Sequence, residues 1–243
     1  MSCRGNVFSM ANFSAFPAGG VAVVVGSGGI GGALVEALLA EPAFADVVNF
    51  SRSSAPKLDV TSEASIEAAV KFLGEAEIRL VIDATGFLHG DGLMPEKALR
   101  EISAAHMAAS FAVNAIGPAL LMKHLLVRLP RAGKAVFATL SARVGSIGDN
   151  HVGGWYSYRA AKAALNQLVR TAAIELRRSR PEAVCVALHP GTVATRLSAP
   201  FAKAGLNVRP PAEAADDLLR VIAGLGAAQS GGFFDYKGEE IPW

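Results

Sequence analysis

Tyr158 and Lys162 stand four positions apart in YSYRAAKAALNQLVR, where the apolar spacing predicts a helix over 156–177. Both side chains therefore share one helix face. A free phenol has a pKa of about 10 and is a poor proton shuttle near neutrality, but a fixed ammonium beside it favours its anion and lowers that value. Protonating a carbonyl oxygen, or taking the proton from an alcohol, requires such a group. The pair gains meaning from what surrounds it.

A second constellation sits near the start of the chain. The β-prone run Val21 to Val25 leads straight into GSGGIGG, and ALVEALLA then repeats apolar positions at helical spacing. Gly26, Gly28 and Gly31 satisfy G-x-G-x-x-G in this strand-turn-helix setting, with Ser27, Gly29 and Ile30 between them. Backbone amides and the helix N-terminus then face a pyrophosphate, whose approach a β-carbon would block. Gly29 and Gly32 leave the register open. After the next strand comes Phe50-Ser51-Arg52-Ser53-Ser54, without the acid that holds a ribose 2′-hydroxyl in NAD-preferring sites. Ser51 and the planar donor fork of Arg52 suit a 2′-phosphate. NADP(H) is the expected cofactor, with NAD(H) possible.

The elements that must position these groups follow from periodicity and punctuation. Strands are expected at 21–25, 46–50, 57–60, 79–83, 134–140, 183–188 and 232–236, and helices after the glycine turn and over 62–73, 95–129, 156–177 and 212–224. Alternating strands and helices imply an α/β fold: one Rossmann-type, doubly wound domain with a mostly parallel seven-stranded sheet. A chain of 243 residues with 51% hydrophobic residues can bury one large core. Its 23 basic and 21 acidic residues are scattered, which favours neither nucleic acid nor an anionic membrane as partner. No uninterrupted apolar run approaches the roughly 18 residues of a membrane span. Residues 1–20 are expected to be a flexible extension, with Met10 an alternative start, and 21–243 the domain. Cys3 falls in the extension and Cys185 in an apolar run, consistent with a reducing, cytoplasmic compartment. His89, His106, His124, His151 and His189 show no metal-ligand spacing, so they are expected on the surface or in loops, with no metal site.

From Val21 to Trp243 the chain resembles the short-chain dehydrogenase/reductase family. Tyr158 to Lys162 resembles its Tyr-x-x-x-Lys, Val113-Asn114-Ala115 its helix-borne Asn, and the stretch from His189 to Thr195 its Pro-Gly cofactor turn. Asp83-Ala84-Thr85-Gly86 is similar to its Asn-Asn-Ala-Gly segment, and Leu58-Asp59-Val60-Thr61 to the loop whose Asp contacts adenine. The stretch GSIGDNHVGGWYSYRAAKAALN and the ending GGFFDYKGEEIPW most resemble the C-factor-like proteins and related carbonyl reductases.

The resemblance implies hydride transfer between a nicotinamide and a small carbonyl or secondary alcohol, with Tyr158 as general acid or base. It makes Lys162 the residue that lowers the phenol pKa and holds the nicotinamide ribose, and Asn114 the support of a water-linked proton path to Lys162. Asp59, Val60, Ala84, Thr85 and Gly86 are implied along the cofactor. Pro190, Gly191, Thr192 and Val193 are implied at the nicotinamide, with Thr195 near the phosphates or carboxamide. An apolar substrate loop over 196–211 and a homodimer or homotetramer also follow.

Two departures stand out. The glycine turn is tighter than the family's, because only Ser27 separates Gly26 from Gly28. The family's active-site Ser, three residues ahead of a Gly, falls here on Ala142, with Ser141 and Ser146 flanking it. Ser141, at the end of an apolar strand, is the expected active-site hydroxyl. The displaced serine also admits a rival reading: a cofactor-loaded regulatory or signalling protein with little turnover.

Overall fold

Runs such as AVFATL and AVCVAL are apolar at nearly every position rather than at alternate ones, which suits strands covered on both faces. The computed structural model, which describes residues 11–90, 92–201 and 207–243, forms them into one parallel sheet. Its strands are β1 (Gly20–Val25), β2 (Phe44–Phe50), β3 (Ile78–Asp83), β4 (Ala135–Leu140), β5 (Ala183–His189) and β6 (Phe233–Asp235). They lie in the order β2-β1-β3-β4-β5-β6. The chain runs outward from β1 to β2 and returns to place β3 on the other side of β1, so a crevice opens at the carboxyl ends of β1 and β3.

Helices α1 (Gly29–Leu39) and α6 (Pro211–Gly224) cover one face, over a core containing Leu34, Leu80, Ile82, Val136 and Leu218. The other face carries α2 (Glu63–Phe72), α4 (Gly117–Leu125) and α5 (Tyr156–Ser179), over Ile66, Val81, Leu121, Phe137 and Leu165. The expected helix over 95–129 is divided. A 3-10 turn at Leu99–Glu101 precedes α3 (Ala104–Phe111), whose Ser103 cap accepts from the His106 N–H, and a π-helical segment, Ala112–Ile116, joins α3 to α4. The helical run 104–128 is long and apolar enough, by composition, to cross a membrane, and half of its most apolar stretch is buried inside the fold.

Two expectations change. Residues 57–60 do not form a strand: a parallel crossover needs about a dozen residues, and only 51–56 separate this segment from β2. Leu58 and Val60 instead turn into the core, while the Leu58 N–H reaches the Ser51 carbonyl at 2.8 Å. Among the described residues the sheet therefore has six strands. The packed chain also begins ahead of residue 21, since Phe13 and Phe16 are buried and meet Phe44 with ring centroids 5.3 and 5.7 Å away. Burying one such ring contributes on the order of 2 kcal/mol. Residues 1–10, including Cys3 and Met10, lie outside the described residues.

Candidate active site

The glycine turn after β1 resolves the register that spacing left open. Gly26 has φ +112°, a conformation that a side chain disfavours. A β-carbon at Gly31 would stand 2.3 Å from the Gly26 carbonyl oxygen, so that glycine lets α1 pack on the turn. Gly28 caps α1 in an extended conformation and faces open space. Beyond it lies a cleft of about 600 Å³ that gathers Gly26, Ser27, Gly28, Ser51, Arg52, Asp59, Val60, Ala84, Thr85 and Gly86. Gly29 and Ile30 sit in the first turn of α1. The cleft also takes in Ser53, Leu58, Thr61, Phe87 and Val113, which the sequence reading did not select although each adjoins a selected residue or segment.

Arg52 is exposed at the rim, with no ion pair among the described residues. Asp59 accepts from the Thr61 hydroxyl at 2.7 Å and the Thr61 N–H at 3.0 Å. Those bonds, with Lys57 and Arg52 adding charge, hold its carboxyl below the usual range.

Tyr158 and Lys162 lie on the first turns of α5, 9% and 2% exposed. The Lys162 ammonium donates to the Leu140 carbonyl at 2.7 Å, at the end of β4, and lies 5.9 Å from the centre of the Tyr158 ring. The 143–145 turn rests on this lysine, and a β-carbon at Gly145 would come within 2.8 Å of the Lys162 Cβ. Burial draws the Lys162 pKa down to about 8 against the pull of Asp83. Burial also pushes the Tyr158 phenol above its ordinary value, so in this structure desolvation outweighs the lowering expected from the nearby ammonium. Asp83 is itself fully buried and accepts from Thr139 at 2.7 Å and from Thr85 at 2.6 Å; burial raises its pKa while these bonds oppose the rise.

Asn114 occupies the π-helical segment, a distortion frequent at functional sites. Pro118, four residues on, has no N–H to give the Asn114 carbonyl, which accounts for the departure from α geometry here. The buried Asn114 amide accepts from the Phe87 N–H at 2.9 Å and donates to the Phe87 carbonyl at 2.7 Å, fixing the segment after β3.

Neither candidate serine offers a free hydroxyl. Ser141, the expected active-site hydroxyl, is buried and donates to Asn166 Oδ1 on α5 at 2.7 Å, because strand alternation turns it toward the helix. The Ser146 hydroxyl donates to the Pro242 carbonyl at 2.5 Å and accepts from the Asp149 N–H. Ala142, between them, carries only a methyl group.

After β5, Gly191 has φ +79° beneath the Tyr236 ring, the Thr192 carbonyl accepts from the Arg209 N–H, and Val193 is buried. The Thr195 methyl lies against Gly29, where a β-carbon would meet it at 3.0 Å, so the Pro190 to Thr195 turn reaches the start of α1.

Glu96 was not read from the sequence. It is buried and accepts from the Ser157 N–H at 3.1 Å and the Ser157 hydroxyl, while its backbone carbonyl accepts from the Trp155 N–H at 2.5 Å. Burial is the largest influence on its carboxyl and acts upward, but the Ser157 bonds and His106 outweigh it and hold the pKa below the usual range. This clamp fixes the start of α5 beside Tyr158. Two histidines depart from the surface-or-loop expectation: His106 is buried 3.4 Å from Glu96, and His189 ends β5 with its Nδ1 buried and its pKa pulled to about 4, chiefly by burial. His124 converges with Glu63 and Glu67, though Lys123 also pairs with Glu63.

A family profile described as enoyl-(acyl carrier protein) reductase matches residues 30–215. The C-signal protein of Myxococcus xanthus is 41% identical over 147 residues, 60% of this chain and 84% of that protein. A 1-hydroxy-2-glutathionyl-2-methyl-3-butene dehydrogenase of Rhodococcus is 32% identical over 188 residues, 77% of this chain and 79% of that one. Among solved structures, an NADPH-bound carbonyl reductase from chicken fatty liver superposes with a TM-score of 0.80 at 25% identity, covering 95% of this chain and 97% of that one.

Proposed function

The chain belongs to the short-chain dehydrogenase/reductase family of NAD(P)-dependent oxidoreductases, and on that premise we propose that it moves a hydride between NADP(H) and a small carbonyl or secondary alcohol, with Tyr158 as the proton-transfer group. One observation carries this reading: Tyr158 and the buried Lys162 share a face of α5 at the end of β4, on the same carboxyl edge of the sheet as the glycine-turn cleft.

The cleft fits a dinucleotide phosphate. The open space at Gly28 and the amides of the α1 N-terminus suit a pyrophosphate, and Arg52 with Ser51 suits a 2′-phosphate. Asp59 and Val60 would border the adenine, and Ala84, Thr85 and Gly86 the middle of the molecule. Pro190, Gly191, Thr192, Val193 and Thr195 would seat the nicotinamide end, with Lys162 on its ribose. When bound, the nicotinamide supplies or accepts the hydride.

Tyr158 gives its proton to the carbonyl oxygen in reduction and takes it back in oxidation. Lys162 stabilises the phenolate left behind. Asn114 holds Gly86 and Phe87 in place through its side chain, and its carbonyl, which Pro118 cannot engage, keeps acceptor capacity for water leading to Lys162.

A panel of carbonyl compounds with NADPH and NADH tests this reading. Turnover that prefers NADPH and disappears in Tyr158→Phe supports it. The second reading, a cofactor-loaded regulatory protein with little turnover, rests on the engaged hydroxyls of Ser141 and Ser146. Tight NADPH binding without turnover across the panel would favour it. We further propose a cytoplasmic homodimer or homotetramer joined through the groove between α4 and α5, about 480 Å³, where Val127 and Leu168 present apolar surface. Light scattering during size-exclusion chromatography tests this, and a monomer at micromolar concentration would overturn it.

A further inference from the structure

Outside both apolar cores, three half-buried rings from three different connections meet beside Tyr158. His89 follows β3, Trp155 immediately precedes α5, and Phe201 lies in a 3-10 turn, Ala199–Phe201, between β5 and α6. Phe201 stands edge-on to Trp155 with centroids 5.0 Å apart and to His89 at 5.6 Å, and Trp155 stands edge-on to Tyr158 at 6.2 Å. The His89 ring nitrogen lies 3.1 Å from the Leu197 carbonyl, which ties the row to the segment carrying Phe201.

The row is held against resistance. Trp155 is the sole non-glycine residue with positive φ among the described residues, at +53°, a conformation that is unfavourable for a bulky residue and that clusters at ligand clamps. Its N–H is fixed by the Glu96 carbonyl, and Glu96 by Ser157, so the indole is locked one helical turn ahead of the phenol. Helix α5 begins without a side-chain cap at this position. Helix stability alone therefore gives no reason to hold a tryptophan here in this conformation.

We infer that Trp155 and Phe201 form an aromatic wall that selects flat, uncharged, ring-bearing carbonyl compounds for the tyrosine. The inference rests on the reading of Tyr158 as proton donor. A carbonyl held at the Tyr158 hydroxyl carries its substituent within reach of the indole, which offers ring edges and faces for offset or edge-on contact. The methyl of Ala142 adds no donor for a polar substituent. A planar ring therefore gains contacts that a puckered ring of equal size does not.

Acetophenone and cyclohexyl methyl ketone share a skeleton and differ in planarity, so the NADPH-dependent reduction of each tests the wall. An aromatic contact of this kind corresponds to about a threefold to tenfold preference in KM for acetophenone. Trp155→Leu and, on a separate segment, Phe201→Leu should each bring that ratio toward one while NADPH affinity, the check on folding, stays within about twofold. A ratio that persists in both variants, or is absent from an active parent protein, overturns the wall. Should the parent reduce neither ketone, saturation-transfer NMR on the NADPH-loaded protein separates the two readings. Acetophenone binding that Trp155→Leu abolishes keeps the wall and removes the reductase. No binding removes the wall.

Discussion

The two ends of the crevice are built differently. At the glycine-turn end, the cleft is shaped by backbone: Gly26 supplies a conformation, Gly31 an absent β-carbon, and α1 its amides, all within a few residues of one strand end. At the Tyr158 end, side chains from distant segments hold one another. Ser141 reaches Asn166, 25 residues on, Ser146 reaches Pro242, 96 residues on, and Trp155 meets Phe201 from another connection. The glycine turn is a local property of sequence. The second depends on what the rest of the chain brings, and it is where a family member can differ in substrate or in rate.

Substitutions that act on only one end sharpen this contrast, and the largest effect belongs to the phenol. Tyr158→Phe should reduce turnover by about a hundredfold to ten-thousandfold, with NADPH affinity measured by fluorescence titration nearly unchanged. Equal losses in both would place Tyr158 in the cofactor end and break the division. Ala142→Ser places a hydroxyl at the residue between two engaged serines and should raise turnover about tenfold to a hundredfold, up to the lower end of the roughly hundredfold to thousandfold that such donors contribute to developing charge. A rate that does not move would show that the missing hydroxyl does not limit the reaction.

Arg52→Asp acts on the opposite end. It should weaken NADPH binding about tenfold to a hundredfold and leave NADH binding equal or better, since a guanidinium-phosphate pair is replaced by two like charges. Unaltered preference in paired titrations would remove Arg52 from the cofactor site.

The pH profile of reduction reads the junction of the two ends. Lys162, drawn down to about 8, carries its charge below that pH and loses it above. Reduction should therefore hold steady up to about pH 8 and fall beyond it, and Lys162→Gln should be slower and lack that limb. Stability has the opposite sign. The unfolded lysine, with its ordinary value of 10.5, binds a proton more readily than the folded one, so burial of Lys162 is least costly at high pH. Its contribution to stability should rise between about 8 and 10.5.

The smallest effect on activity is predicted for Ser141→Ala. Turnover should stay within about twofold, while chemical denaturation should show a loss of about 1–2 kcal/mol from the stranded Asn166 acceptor. A large kinetic loss would return Ser141 to the reaction.

How much was legible follows the same division. The buried strands announced themselves as largely apolar runs, and helix α5 and the glycine turn as periodicity and spacing. The strand expected at 57–60 failed on a criterion the sequence did contain, because 51–56 is too short to cross over, yet Leu58 and Val60 mimic a strand by burying alternate side chains. Pro118 was the available sign that the helix around Asn114 departs from α geometry. Phe13 and Phe16 looked like part of a loose extension because nothing local reveals that Phe44 awaits them. The engagement of both serines depends on Asn166 and Pro242, partners that no motif around residue 141 names.

Because the crossover after β2 is too short to add another strand, the sheet among the described residues ends at β2, where Asp46 is exposed and Val47 to Asn49 are only partly covered. An unpaired outer strand is a template on which a second chain can add by edge-to-edge hydrogen bonding. Here a charge stands at that border: the exposed Asp46 carboxylate accepts from the Val47 N–H at 2.8 Å, occupying a backbone donor within the strand itself. Two neighbouring sheets approaching along this margin would bring these carboxylates together. The shortened crossover thus makes a surface aspartate, far from any chemistry, a guard against self-association in concentrated solution.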